Sequence, residues 1–524
     1  METATHDLNY NLKLQKKQND NLRETRKGNM KKLTFMVMVS AGLLSGCAVK
    51  PDLIGDDELS AFVTANAEGL VADQEAVTGA IGLYEAMARA LKYNLDYRVE
   101  MMNEALAARS LDVKSAAMLP QVVAGSGYNG RDPSAGGYSR SLTTGLKSAD
   151  ATTSTEKQTL NADVTASWNI LDFGLSYVRA KQAADEVLIA QERRRKIVNR
   201  IIEDVRTSYW RAASAERLLG GLKALEGRVN NALSNSRSLS SEGTLSPLTA
   251  LTYQRELVEI RKQIHELERD LKTSKIQLAA LMNIPPGQPL KLVVPARNQT
   301  ALKLGKSASE LVELAMRNRP ELREVLLKER ITAKEADAAL LQMLPGIQVF
   351  GGLNWDSNDL LYHSNWVSWG AKASWNVMRI FQYPRLKKEQ EAKADLHRQE
   401  ALAMTMAVFT QVHAARARYA INASVLKDAS DYYDVQKRIL SQVRSAAAEN
   451  AASDQSLIRE EMNTLVASVK YDIAHADLQN AFANVYASVG LDPYAEGVTG
   501  EEGVKDLAQA LKRVWVERGD RSGS

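Results

Sequence analysis

The chain holds one cysteine, Cys47, in 524 residues, so neither a disulfide nor a cysteine-ligated metal site can form within it. Its six histidines, His6, His265, His363, His397, His413 and His475, are scattered, and none belongs to an H-E-x-x-H motif. "GSGYNG" at 125–130 has the spacing of a dinucleotide-binding turn, but "RDPSAGG" follows and no helix opens there. No nucleophile stands beside a base, and the expectation is a protein without catalysis, cofactor or metal. An excess of one charge is missing too. The formal net charge is +4, yet residues 1–46 carry eight Lys/Arg against four Asp/Glu, so the 59 basic and 59 acidic residues beyond them cancel. That balance removes the electrostatic footprint a nucleic-acid binder needs. Glycine and proline, finally, are absent from the 105 residues Arg385 to Val489. Losing both helix breakers over that length predicts helix almost throughout.

What is present begins at Met30. "MKKLTFMVMVSAGLLSGC" places two lysines, a short apolar run and small residues ahead of Cys47, the order of a secretory signal and too short a run for a spanning helix. Leu44-Ser45-Gly46-Cys47 resembles the lipobox of bacterial lipoproteins, in which the cysteine becomes the lipidated N-terminus. Residues 1–29 lack the character of a targeting segment and read as an extension upstream of the true start.

The body of the chain is written twice. "ALKYNLDYR" at 90–98 matches "AMRNRPELR" at 315–323, and "MLP" at 118–120 matches "MLP" at 343–345, both with an offset of 225. "ASWN" at 166–169 returns at 373–376 with an offset of 207, so copy one carries an insertion of about 18 residues between the two landmarks. The expected divisions are a tether at 47–79, repeat one at 80–286, a linker at 287–304, repeat two at 305–494 and a tail at 495–524. Each repeat should run helix, strand, loop, strand, very long helix, turn, helix. Strands are expected near 121–130, 161–170, 346–355 and 366–377, and long helices near 175–240, 247–283, 384–447 and 454–489. Gly243 and Pro247 suit a helix stop and the next helix's first turn. The outgoing helix of copy one alone should be about 95 Å long. Leu257, Ile260, Ile264, Leu267, Leu271, Ser274, Leu278 and Leu281 keep a 3-4 spacing without a slip, which predicts a left-handed supercoil with the helix carrying Leu218, Leu222, Leu225, Val229 and Ala232.

The strands alternate. Ala162, Val164, Ala166, Trp168 and Ile170 oppose Asn161, Asp163, Thr165, Ser167 and Asn169; Trp369, Ala371, Ala373, Trp375 and Val377 oppose Ser368, Gly370, Lys372, Ser374 and Asn376. One apolar and one wet face fit either a half-buried sheet or a membrane barrel. Four of the seven tryptophans, Trp355, Trp366, Trp369 and Trp375, fall within 21 residues, as interface aromatics do, and with Trp168 they are assigned to the lipid interface. A bilayer tolerates no open sheet edge, and four strands cannot close a barrel alone, so the barrel reading requires oligomerisation.

With the duplicated plan, the strand pairs entered after "MLP" and left through "ASWN", and the exit "WNILDFG" at 168–174, the chain resembles the TolC family of outer-membrane efflux and export channels. The resemblance implies a mainly α fold with a membrane β-barrel part. Long antiparallel coiled-coil helices would form a periplasmic α-barrel, and four strands per protomer would enter a trimeric 12-stranded barrel. It implies a passive conduit, anchored by lipid at Cys47 and partnered by a periplasmic adaptor and an inner-membrane transporter of the RND or ABC type. Gly243, Thr244, Leu245 and Ser246 match the family's small-residue tip and are assigned to adaptor contact; Asn450-Ala451-Ala452-Ser453 in copy two lacks the glycine. Glu449 and Asp454 are assigned to a periplasmic gate, and Asp163, Thr165, Ser167, Asn169, Lys372, Ser374 and Asn376 to the lumen. The rival is a periplasmic coiled-coil lipoprotein, a scaffold or tether, with Trp168 and Trp375 packed against protein.

Overall fold

The computed structural model describes residues 53–72, 74–242, 246–285, 287–297, 304–449, 451–493 and 502–518. The signal segment, Cys47 and Gly243 to Leu245 lie outside them. The chain divides into two units, 1–72 and 73–524. The first contributes helix α1 (Asp56–Val71), whose first turn holds Asp56, Asp57 and Glu58, favourably placed at the positive end of the helix dipole.

The second unit contains α2 (Leu83–Tyr93), α3 (Leu95–Ala116), β1 (Gln121–Gly130), β2 (Gln158–Asn169), α4 (Ile170–Ser241), α5 (Pro247–Leu281), α6 (Ala308–Asn318), α7 (Pro320–Leu341), β3 (Gly346–Asp356), β4 (Asn365–Ser374), α8 (Met378–Ala448), α9 (Asp454–Ser488) and α10 (Val504–Glu517). The 72 residues of α4 and 71 of α8 give helices of about 105 Å. Chemistry at the ends explains the boundaries. Asn94 caps α3 by accepting from the Tyr97 amide at 3.3 Å, Ser307 and Glu310 form a capping box on α6, Ser453 caps α9, and Pro247 and Pro320 open α5 and α7. Gly490 has φ +74°, and a Cβ there would come within 2.7 Å of the Asn318 backbone, so only glycine lets the end of α9 meet the α6–α7 junction.

Three apolar clusters hold the unit together. The first packs α2, the middle of α4, the end of α5 and α10, with Ile81 bridging Leu292 of the linker. The second is the expected seam, Leu218 to Leu233 of α4 against Leu257 to Leu271 of α5, joined by Ile458 and Met462 of α9. The third joins α6, α8 and α9.

Three boundaries and one segment depart from the sequence reading. α4 begins at Ile170 rather than 175, so Ile170 belongs to the helix and not to the apolar face of β2. β4 ends at Ser374, so Trp375, Asn376 and Val377 lie in the turn that starts α8, and α8 begins at Met378 rather than 384. Pro384 falls in its second turn, where one missing amide costs the helix only a single bond to the Ile380 carbonyl. Within 495–524, Val504, Leu507, Leu511 and Trp515 recur at helical spacing and are buried, which makes 504–517 a docked helix rather than a tail.

Candidate functional site

The four strands form one antiparallel sheet in the order β1-β2-β3-β4, with β2 and β3 joining the two repeats. Register assigns every side chain a face, because directly opposed residues point the same way. Asp163 stands opposite Gly125 and Asn354, Ser167 opposite Gln121 and Phe350, and Lys372 opposite Gln348. The other face carries Val122, Val164, Ala166, Trp168, Val349, Leu353, Trp355, Val367 and Trp369.

Along β2 burial is inverted relative to a soluble sheet, while Gln121, Gln348, Lys372 and Ser374 on the polar face of the other strands are exposed. Val164 is 48% exposed, Leu353 64%, Val367 66% and Trp369 84%, while Asp163, Thr165, Ser167 and Asn169 are half-buried. The polar face is the crowded one. A Cβ on Gly125 would meet Asp163 Oδ1 at 2.7 Å, one on Gly352 would meet Thr165 Oγ1 at 2.8 Å, and the Phe350 ring covers Gly370. Large residues lean over glycines on the next strand, the pairing a small barrel uses to fill its inner surface. Polar contacts finish that surface: Thr165 Oγ1 donates to Asp163 at 3.0 Å, and Asn354 donates to Ser368 Oγ at 2.8 Å.

The assigned residues sort as follows. Asp163, Thr165, Ser167, Lys372 and Ser374 share the polar face. Asn169 shares it too, but its side chain accepts from the Leu171 amide at 3.0 Å and caps α4. Asn376 lies beyond the strand. Trp168, Trp355 and Trp369 share the apolar face, but Trp366 does not: it pairs with Asn354 and points to the polar side, because it is an odd number of residues from Trp369. Trp375 is beyond the strand and 53% exposed.

The duplicated motifs meet at one end of the sheet. Trp168 Nε1 donates to the Met118 carbonyl at 3.2 Å, and Trp375 Nε1 donates to the Met343 carbonyl at 2.9 Å. In each repeat the tryptophan of "ASWN" thus closes on the methionine of "MLP", tying the strand that leaves to the helix end that enters.

At the opposite end of the long helices, Ser246 precedes α5 and is exposed, while its three assigned companions are outside the described residues. Leu248 and Leu251 on the first turns of α5 are 75% and 62% exposed. Glu449 ends α8, exposed. Asp454 does not project freely; Arg228 of α4 holds it at 3.1 Å and also binds Glu461, which accepts from Arg444 at 3.3 Å. Arg459 of α9 binds Glu256 of α5, and this hydrogen bond holds the Glu256 carboxyl below the usual range. These pairs tie the first hairpin to the second.

A larger polar junction lies midway and was not legible as a motif. Asp472 of α9 is buried and accepts from Ser214 Oγ at 2.9 Å, Arg297 Nε at 2.7 Å and Arg217. Arg297, from the linker, also lies 5.0 and 4.8 Å from the Tyr433 and Tyr471 ring centroids. Asp472 is 175 residues from Arg297 and 255 from Arg217 in sequence, so no local spacing could have announced the junction.

Each layer of the second unit also ends in an uncovered edge. Around the sheet the helices neighbour one another in the order α3, α4, α7, α8; further down the order is α5, α4, α9, α8. The outer helices carry apolar seams that no described residue covers. Leu95, Val99, Met102, Leu106 and Val113 are exposed on α3, as are Leu396, Leu402, Met406, Ile421, Val425, Tyr432, Val435 and Ile439 on α8, many of them three or four residues apart. Among the described residues no helix is long and apolar enough to cross a membrane.

Residues 86–283 match the family described as outer membrane efflux protein. Among solved structures, the Campylobacter jejuni CmeC outer membrane channel is similar with a TM-score of 0.63 and 14% identity, covering 85% of this chain and 95% of that one. The outer-membrane channel OprN gives 0.59 and 15%, covering 78% and 89%. The open state of the Neisseria gonorrhoeae MtrE outer membrane channel gives 0.58 and 16%, covering 78% and 88%. No curated protein sequence matches.

Proposed function

We propose, from an outer membrane efflux protein family domain at 86–283 and a channel fold along most of the chain, that this protein is the outer-membrane channel of a tripartite efflux or export system. The observation that carries the reading is the inverted burial of β2: apolar residues outward and exposed, polar residues packed inward over glycines. A scaffold with its sheet between helices would cover Trp168 and Trp369, which are 40% and 84% exposed. Lipid covers them instead, and the polar face lines an aqueous lumen carrying Asp163, Lys372, Phe350 and, against expectation, Trp366.

Closure requires further copies. β1 and β4 are the sheet's edges, α3 and α8 the edges of the helical wall beside it, and α5 and α8 the edges nearer the tips. Joining the β4/α8 edge of one copy to the β1/α3/α5 edge of the next pairs every open strand and covers every seam. That head-to-tail contact makes a ring, and three copies give the twelve strands of the family's barrel. The conduit is passive. Ser246 with Leu248 and Leu251 supports docking of an adaptor at the α4–α5 tip, and the adaptor in turn reaches an RND or ABC transporter. Arg228, Asp454, Glu461 and Arg444 form the latch at that end, and Cys47 carries a lipid.

Electron microscopy of the detergent-solubilised protein tests the assembly. A three-fold particle with a short barrel and a tube on the order of 100 Å long is expected. Single chains, or rods lacking a barrel, would overturn it.

A further inference from the structure

We infer that Glu226 of α4 with His265 and Glu268 of α5 forms a binding site for one zinc-class divalent cation that cross-links the first helical hairpin. One donor atom from each residue lies within 4.8 Å of the other two, and His265 Nε2 is 3.8 Å from Glu226 Oε1. The arrangement is built by helix geometry. His265 and Glu268 are three apart on α5 and share a face, and the buried seam of Leu222, Leu225, Ile260 and Ile264 fixes the register that brings Glu226 across to them.

The donor set selects the ion. One imidazole nitrogen and two carboxylate oxygens suit zinc and its neighbours, whereas calcium and magnesium take oxygen alone. Zinc bonds of about 2.0–2.2 Å place tetrahedral donors roughly 3.3–3.5 Å apart, so the three side chains must close by about an ångström. They can, because His265 is exposed and both glutamates keep solvent access. Three protein ligands leave a fourth position for water. The local competitor is Lys272, whose ammonium bonds Glu268 at 2.7 Å and holds that carboxyl below its usual range. A metal bound by Glu268 must displace that ammonium.

The site lies about 15 residues from the end of α4, about 22 Å along the helix from the tip. An ion there restrains α4 and α5 from splaying at the level of the seam itself. The binding does not depend on the channel reading.

The test is calorimetric titration of zinc chloride into chelator-treated, tag-free, detergent-solubilised protein, with hydrogen exchange read in parallel. Saturable uptake of one zinc per chain is expected, with amide exchange slowed around 226 and 265. His265→Ala and Glu226→Gln should each weaken uptake by at least about tenfold while leaving the metal-free exchange pattern unchanged. No saturable uptake, or uptake equal in wild type and His265→Ala, overturns the proposal. Zinc bound without protection of both helices overturns the cross-link.

Discussion

Val164 and Thr165 are neighbours on β2 at nearly the same depth, yet the register sends them to opposite faces. Arginine at each position therefore measures what the faces meet. Val164 is near the middle of a 12-residue strand and is 48% exposed, with Ala124 and Leu353 beside it. If lipid covers it, Val164→Arg places a charge near the bilayer midplane at a cost of ~2–4 kcal/mol per chain. That lowers the folding equilibrium by roughly thirty- to seven-hundred-fold. Thr165→Arg faces the lumen over Gly352, two residues from Asp163, where water and a carboxylate accept the guanidinium; its cost should stay below about 1 kcal/mol. The assay is urea titration of protein refolded into lipid vesicles, followed by tryptophan fluorescence and by the heat-modifiable trimer band. Equal costs for the two variants would refute the face assignment. A cost-free Val164→Arg would refute the membrane itself, since a solvent-exposed valine accepts arginine readily.

Other outcomes follow from the helices. Asp472→Asn removes the carboxylate that two arginines share, and breaking a buried pair costs about 3–5 kcal/mol; amides of α9 near 472 should exchange at least a hundredfold faster, and Arg297→Met in the same chain should recover part of the loss. Leu248→Asp and Leu251→Asp should weaken adaptor binding, read by pull-down with the purified adaptor, by tenfold or more, whereas Ala451→Asp at the other tip should change it less. Glu203 has its carboxyl pushed up by burial, first, and by Asp204, against the opposing pull of Arg418. A raised acid destabilises the fold wherever it is ionised, fully so above its folded pKa and not at all below the unfolded value near 4.3. Glu203→Gln should therefore raise the melting temperature at pH 8, with the advantage shrinking as the pH falls to 4.

The sequence was legible where the signal is periodic. Offsets of 225 and 207 exposed the duplication, a 3-4 spacing exposed the α4–α5 seam, and alternation exposed β2 and β4. It failed where a side chain has more than one use. Asn169 alternates with the lumen residues but sits at a helix start, so its oxygen caps α4. Trp366 belongs to a cluster of tryptophans, and clustering suggested the lipid interface; parity against Trp369 contradicts that, and parity was visible in the sequence. Asp454 reads in the sequence as a gate charge, and Arg228, 226 residues earlier, could not be matched to it without the fold. The docked helix at 504–517 escapes the sequence reading although Leu507, Leu511 and Trp515 recur at helical spacing, because the preceding "AEGVTGEEG" reads as the start of a tail.

The two halves of the chain are alike in sequence but not in what they leave open. Each contributes a strand pair, and each closes it through the same tryptophan-to-methionine bond. Joining β2 to β3 inside the chain satisfies one inter-repeat edge and leaves β1 and β4. α3 enters β1, and α8 leaves β4, so the free helical edges stand directly beneath the free strands. A mutation at a seam should therefore act at a distance. Val99→Asp on α3 leaves the packing within its own chain intact, because Val99 is 58% exposed. In the ring it would place a carboxylate against the apolar seam of the next copy's α8, at a cost of about 2 kcal/mol or more at each of the three joints. Trimer should give way to monomer while circular dichroism stays helical. If trimers instead persisted at wild-type stability, the α3 seam would not be a subunit contact, and the ring would have to close through the strands alone.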